Sequence, residues 1–147
     1  MTVHRRFRDG FRWEGVEERA YKPAGTHFRD ITRQVLFDDP HGMGIEVRYF
    51  EISPGGHSTL ERHAHGHAVI VLRGAGRALA GDRIVALAPF DLLEIGPDQW
   101  HQFRAAPDRP LGFLCLVARD RDRPQRPGDG DLARLRRDPE IAAFIRV

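Results

Sequence analysis

Between residues 30 and 118 every apolar run is short and is closed by a turn residue. The breaks are Asp38-Asp39-Pro40, Pro54-Gly55-Gly56, Gly74-Ala75-Gly76, Gly81-Asp82, Ala88-Pro89 and Gly96-Pro97. They divide this stretch into candidate strands at 31–37, 44–52, 67–72, 77–80, 83–87, 91–95, 101–105 and 111–118. No helix of ordinary length fits among them. Short strands at this spacing, each bounded by Gly, Pro or Asp, predict a β-sandwich or barrel.

The flanks differ from this centre. Residues 1–28 are polar, rich in Arg and Glu, and without a sustained period. They predict an arm with one short strand, packed on the body or on a partner subunit. After residue 128, Leu132 and Leu135, then Ile141, Ala142, Phe144 and Ile145, recur at helical spacing. Two short amphipathic helices are expected over 129–147, with Asp129 or Asp131 capping the first and Pro139 opening the second. The 147 residues show no repeat or low-complexity segment and predict a single domain.

Charge and cysteine usage remove several function classes. The net charge is +2, from 23 basic and 21 acidic residues, and Lys22 is the sole lysine. Arg119, Arg121 and Arg123 alternate with Asp120 and Asp122, a self-neutralising stretch and not a phosphate-binding stripe, so no nucleic-acid partner is expected. No apolar run approaches the roughly 20 residues of a membrane span, and the N-terminus has no secretory apolar region. One cysteine, Cys115, forms no disulfide within the chain, which suits the cytoplasm.

Five of the 8 histidines fall between positions 57 and 101. In an extended chain alternate side chains share a face, so Glu61, His63, His65 and His67 project together as four potential metal donors. Imidazole and carboxylate suit first-row divalent ions. A lone strand histidine is ordinarily a surface or core residue. Four alternating donors leading into Ala68-Val69-Ile70-Val71-Leu72 are not explained that way, because burying them without a cation leaves polar groups lacking partners.

This segment resembles the first motif of the cupin superfamily: a glycine, His-x-His, three or four residues, Glu, six residues, then Gly. The best register sets Glu61 at the first His, His63 at the second and His67 at the Glu position, with Gly74 following. Pro97-Asp98-Gln99-Trp100-His101 resembles the second motif, which makes His101 the fourth ligand. The resemblance covers roughly residues 30–118. It implies an all-β fold, a cupin double-stranded β-helix (jelly-roll-like) barrel with the metal inside, followed here by the short helical tail. Glu61 and His67 exchange the usual ligand types, which leaves Mn, Fe, Ni, Zn and Cu open. His65 is the reserve ligand or an orienting partner.

Further stretches are similar to a narrower group of cupins, the manganese-dependent 1-methylthio-D-xylulose 5-phosphate methylsulfurylases. They include Tyr49-Phe50-Glu51, Pro54-Gly55-Gly56-His57, Trp100-His101-Gln102-Phe103-Arg104-Ala105, Leu111-Gly112-Phe113-Leu114-Cys115 and Arg121-Asp122-Arg123-Pro124-Gln125-Arg126-Pro127. The resemblance implies release of 1-deoxy-D-xylulose 5-phosphate and transfer of the methylthio group to an external thiol such as glutathione. Cys115 then becomes the candidate nucleophile; taken alone, a free cysteine in an apolar strand is ordinarily a small core residue. Arg48, Arg104, Arg33 and His57 are candidate phosphate contacts, although any one Arg in so Arg-rich a chain is ordinarily a solvated charge. Tyr49, Phe103 and Trp100 are candidate wall residues. A homodimer paired through sheet edges is expected. The alternatives are a cupin dioxygenase using the same ligands without Cys115, and a non-enzymatic binding cupin.

Overall fold

The computed structural model describes residues 1–147. The arm carries a hairpin, β1 (Phe7–Arg8) and β2 (Arg12–Trp13), and then β3 (Glu18–Ala20). The body follows as β4 (Arg29–Asp38), β5 (Ile45–His57), β6 (His67–Gly74), β7 (Gly76–Ala80), β8 (Arg83–Leu87), β9 (Leu92–Ile95), β10 (His101–Ala105) and β11 (Leu111–Ala118). Two short helices close the chain, α1 (Asp129–Leu135) and α2 (Pro139–Phe144).

All pairings are antiparallel, in the order β8-β7-β10-β5-β11-β6-β9, with β4 on the other side of β5 and β3 on β4. The sheet curls into a half-barrel, the jelly-roll-like form expected. Strand β5 makes the curl. It pairs with β11 over Ile45–Ile52 and reaches β10 only at its end, where His57 faces Arg104. Pro54-Gly55-Gly56, expected to break the chain, instead bends one strand so that it passes from one neighbour to another. Between β6 and β7 the break is real: Gly74 has φ +77°, and a Cβ there would fall 1.7 Å from the Pro110 carbonyl oxygen.

Alternation fills the interior. From β5 come Phe50 and Ile52, from β6 Val69 and Val71, and from β11 Phe113, Cys115 and Val117, all in one buried cluster. Burying each large apolar side chain is worth about 1.5–3 kcal/mol. A second cluster sits outside the barrel, where Ile141, Phe144 and Ile145 of the tail cover Leu60 and Leu79. Gln102 ties the tail down, donating to the Arg146 carbonyl at 2.7 Å and accepting from its amide at 2.9 Å.

The arm holds three short strands where one was expected. Its hairpin packs Phe11 flat on Tyr49 (5.7 Å) with Trp13 edge-on (5.3 Å), and Gln34 donates to the Phe11 carbonyl at 2.9 Å. Tyr49 therefore faces the arm and not the interior, since its neighbour Phe50 takes the inward position. The cap of α1 also differs. Gly128 is the N-cap, and Asp131 reaches back to accept its amide at 3.0 Å. Asp138 caps α2 ahead of Pro139.

Candidate metal centre and thiol pocket

The site forms where the loop after β5 returns to the start of β6 and β10. Glu61 and His101 exchange backbone hydrogen bonds, at 3.1 and 2.9 Å, so their side chains leave the same face. His67 opens β6 and His101 opens β10. One ring nitrogen from each of His63, His67 and His101 lies within 4.8 Å of the others.

Their tautomers follow from their partners. His63 Nδ1 lies 2.7 Å from the His65 carbonyl oxygen, and His101 Nδ1 lies 2.9 Å from that of Gln99. A carbonyl only accepts, so both Nδ1 atoms carry the proton and both Nε2 atoms present lone pairs. His101 Nε2 is buried without a partner, and His63 Nε2 lies 2.6 Å from His67 Nε2. Burial, then repulsion from His101, lowers the His63 pKa from 6.5 to about 4. The same two causes push His67 much further down, and burial lowers His101. Three uncharged imidazoles thus converge, those of His63 and His101 with Nε2 lone pairs inward and that of His101 orphaned. That donor set fits a first-row divalent cation.

Glu61 and His65 have other partners. Glu61 lines the same pocket, but its carboxylate accepts from Lys22 Nζ at 2.7 Å and stands outside the three-ring group. His65 stacks flat on His63, 3.6 Å between centroids, and its Nδ1 meets Asp122 at 2.8 Å. Asp122 also accepts the amides of Ala64 and His65, at 2.8 and 3.1 Å. These contacts, led by the Ala64 amide, hold its carboxyl far below the usual range. The 119–123 stretch is therefore not self-neutralising: Asp122 clamps the histidine loop, Arg121 pairs with Glu46 and Arg119 with Asp38. Strict local alternation suggested internal pairing, but each of these charges meets a partner distant in sequence.

Cys115 is buried on the pocket wall, its Sγ 3.0 Å from His67 Nδ1 and 3.5 Å from Arg48 Nη2. Burial raises its pKa, and Arg48 opposes that shift. The cleft is narrow, about 50 Å³, with Phe50, Phe103 and Phe113 among its apolar lining.

Of the phosphate candidates, only Arg48 reaches the pocket, where it also lies 3.3 Å from Glu46. Arg104 is excluded by alternation: Phe103 turns inward, so Arg104 turns outward and donates to the Phe144 carbonyl at 2.7 Å. His57 Nδ1 meets the Ser58 carbonyl, and Arg33 lies outside the lining. Trp100 is also outside, under the guanidinium of Arg62. Residues not singled out from the sequence complete the mouth. Tyr21 lines it, and Lys22 and His27 meet there on Thr59 Oγ1 at 3.1 and 2.8 Å. A lone lysine in an Arg-rich chain was the one signal for them.

The cupin domain family matches residues 48–117. A cupin 2 conserved barrel domain protein from Rhodopseudomonas palustris is 50% identical, with a TM-score of 0.94 over 99% of this chain and 100% of that one. The chain belongs to the cupin family. A second cupin structure, a cupin-2 domain from Rhodospirillum rubrum, superposes with a TM-score of 0.87 at 52% identity over 96% of this chain and 95% of its own. Among curated cupin relatives, the 1-methylthio-D-xylulose 5-phosphate methylsulfurylase of Rhodospirillum rubrum is 53% identical over 142 residues. That alignment spans 96% of this cupin and 90% of the relative.

Proposed function

We propose that this cupin is a methylsulfurylase that converts 1-methylthio-D-xylulose 5-phosphate to 1-deoxy-D-xylulose 5-phosphate and passes the methylthio group to an external thiol such as glutathione. The observation that carries this reading is 53% identity to such an enzyme over 96% of the chain. The donors are Nε2 of His63, His67 and His101, with Glu61 the fourth candidate and manganese the ion the resemblance implies. When bound, the cation supplies Lewis-acid polarisation of the ketose carbonyl.

The chain's own groups account for the sulfur transfer. Cys115 Sγ attacks the substrate sulfur; a sulfur–sulfur bond forms, the C1–S bond breaks, and its electron pair moves to C1 beside the C2 carbonyl. C1 takes up the proton that the thiol gives, so the cysteine is oxidised to a methyl disulfide while C1 is reduced. Arg48 Nη2, 3.5 Å from Sγ, favours the thiolate, and the Nδ1–H of His67, 3.0 Å away, donates to it once Nε2 holds the cation. Phe50, Phe103 and Phe113 keep water from the carbanion. An external thiol then takes the methylthio group by disulfide exchange, restoring Cys115. No second cysteine exists in the chain to do so.

Exposed Phe90 and Leu92, at the sheet-edge strand β9, support a homodimer, readable by light scattering. No helix is long and apolar enough to cross a membrane, and the free thiol suits a reducing cytoplasm. The function is tested by mass spectrometry of anaerobic, manganese-loaded protein given substrate and glutathione. Deoxy sugar phosphate together with the methyl disulfide of glutathione is the expected outcome. Unchanged substrate with metal bound overturns it.

A further inference from the structure

The inner face of β5 carries two charges ahead of the apolar Phe50 and Ile52. Alternate residues share a face, and β5 pairs with β11 so that Phe50 stands opposite Phe113, Arg48 opposite Cys115 and Glu46 opposite Val117. Phe50, Phe113, Cys115 and Val117 all belong to the interior cluster, which places Glu46 and Arg48 on the inward side as well. Their side chains are only 15% and 12% exposed. Charges are seldom set in such surroundings unless they are paired or used.

Arg48 is fixed on three sides. Its guanidinium lies 5.0 Å over the ring of Phe50, its Nε stands 3.3 Å from Glu46 Oε1, and its Nη2 donates to Cys115 Sγ at 3.5 Å. Nε has no aligned hydrogen-bond partner, so Glu46 holds it by charge, which at this burial is little screened. Glu46 is anchored in turn. Arg121 Nη2 donates to the same carboxylate oxygen at 3.0 Å, and Arg121 Nη1 donates to the Ala118 carbonyl, at the end of β11, at 3.1 Å. A planar guanidinium presents its donors in fixed directions, so a carboxylate beside Nε decides where Nη2 points.

We propose that Glu46 is a positioning residue for sulfur transfer: its carboxylate, anchored by Arg121, keeps the Arg48 guanidinium turned onto Cys115 Sγ, so that this arginine serves the nucleophile and not the substrate's phosphate. The inference rests on the reading of Cys115 as the nucleophile. Charge and position have opposite consequences here. A carboxylate beside Arg48 opposes negative charge on the sulfur, so by charge alone its removal would speed the attack. By position, its removal frees the guanidinium to swing away and slows the attack.

The test uses manganese-loaded protein and S-methyl methanethiosulfonate, which delivers a methylthio group without any sugar. Cys115 gives its proton to solvent and its sulfur attacks the methylthio sulfur; a sulfur–sulfur bond forms, and methanesulfinate leaves with the electron pair of the bond that breaks. The rate is read by mass spectrometry of the methyl disulfide on Cys115. Glu46→Gln should slow it about tenfold, the effect of one charge-assisted hydrogen bond. Added to Arg48→Gln, where the arginine is already gone, the same substitution should change nothing further. An unchanged or faster rate in Glu46→Gln overturns the proposal, as does an additional loss in the double variant. With the methylthio ketose as substrate, Glu46→Gln should lower kcat about tenfold and leave KM alone. A raised KM with kcat intact returns Arg48 to the phosphate and overturns the proposal too. A wild type that takes up the methylthio group from the thiosulfonate, yet leaves the ketose unchanged, sinks the proposed reaction, and the thiosulfonate rates then still decide the role of Glu46.

Discussion

The inner wall of the pocket and its mouth are built on opposite electrostatic principles. Inside, His63, His67 and His101 are kept uncharged by burial and by one another, and backbone carbonyls fix two of them with Nε2 free. At the mouth, Lys22 is held between Thr59 Oγ1 at 3.1 Å and the Glu61 carboxylate at 2.7 Å, and His27 meets the same threonine at 2.8 Å. A dry wall of lone pairs attracts a cation, whereas at the rim a lysine and a carboxylate satisfy each other. The contrast teaches that burial decides which charge each half can hold.

That contrast can be broken at either end, and the largest effect is expected inside. His63→Ala or His101→Ala should abolish metal retention by elemental analysis, a greater loss than the about 10–100-fold expected from a group that only orients a ligand. Stoichiometric metal in either variant would remove the inner half of the comparison. Cys115→Ser should retain the metal but lose turnover on the order of 10³-fold or more, as for other nucleophiles; full turnover would return Cys115 to the core. Asp122→Asn, by loosening the clamp on Ala64 and His65, should weaken metal affinity about 10–100-fold in a competition titration. An unchanged affinity would mean that the histidine loop holds itself.

Two smaller effects sharpen the comparison further. In the metal-free protein, unfolded His63 takes a proton near its ordinary 6.5, which the folded residue refuses until about 4. The unfolded state therefore binds more protons in that window, so the urea midpoint should fall as pH drops through it and stay level above it. A midpoint independent of pH there would show that the histidine is not held neutral. Finally, sugar-phosphate affinity should weaken with added salt while metal affinity changes little, because exposed charges are screened and buried donors are not. Equal salt dependence at both ends would dissolve the distinction.

Legibility from sequence followed the range of the interactions. The strands at 83–87, 101–105 and 111–118 lie where alternation and turn residues put them. Pro54-Gly55-Gly56 was misleading because the residues that reverse a chain also bend a strand, and only the neighbours of β5 distinguish the two. The spacing of His63, His67 and His101 was readable because each begins or precedes a strand that faces inward. Arg104 was misassigned as a phosphate contact because its parity was not compared with that of Phe103. Asp122 and His27 were missed because their partners, His65 and Thr59, lie 57 and 32 residues away along the chain.

The sequence by itself determined the all-β class, the order of the strands, the helical tail and the inventory of donors. Those properties reside in local periodicity and in the conformational preferences of Gly, Pro and Asp. Only the tertiary structure decided which ring nitrogens are bare, that Cys115 stands 3.0 Å from His67, that Glu61 is held by Lys22, and that the arm supplies the rim. Each of those facts depends on contacts between segments far apart in the chain, whose distances are set by how the sheet curls and not by any local pattern.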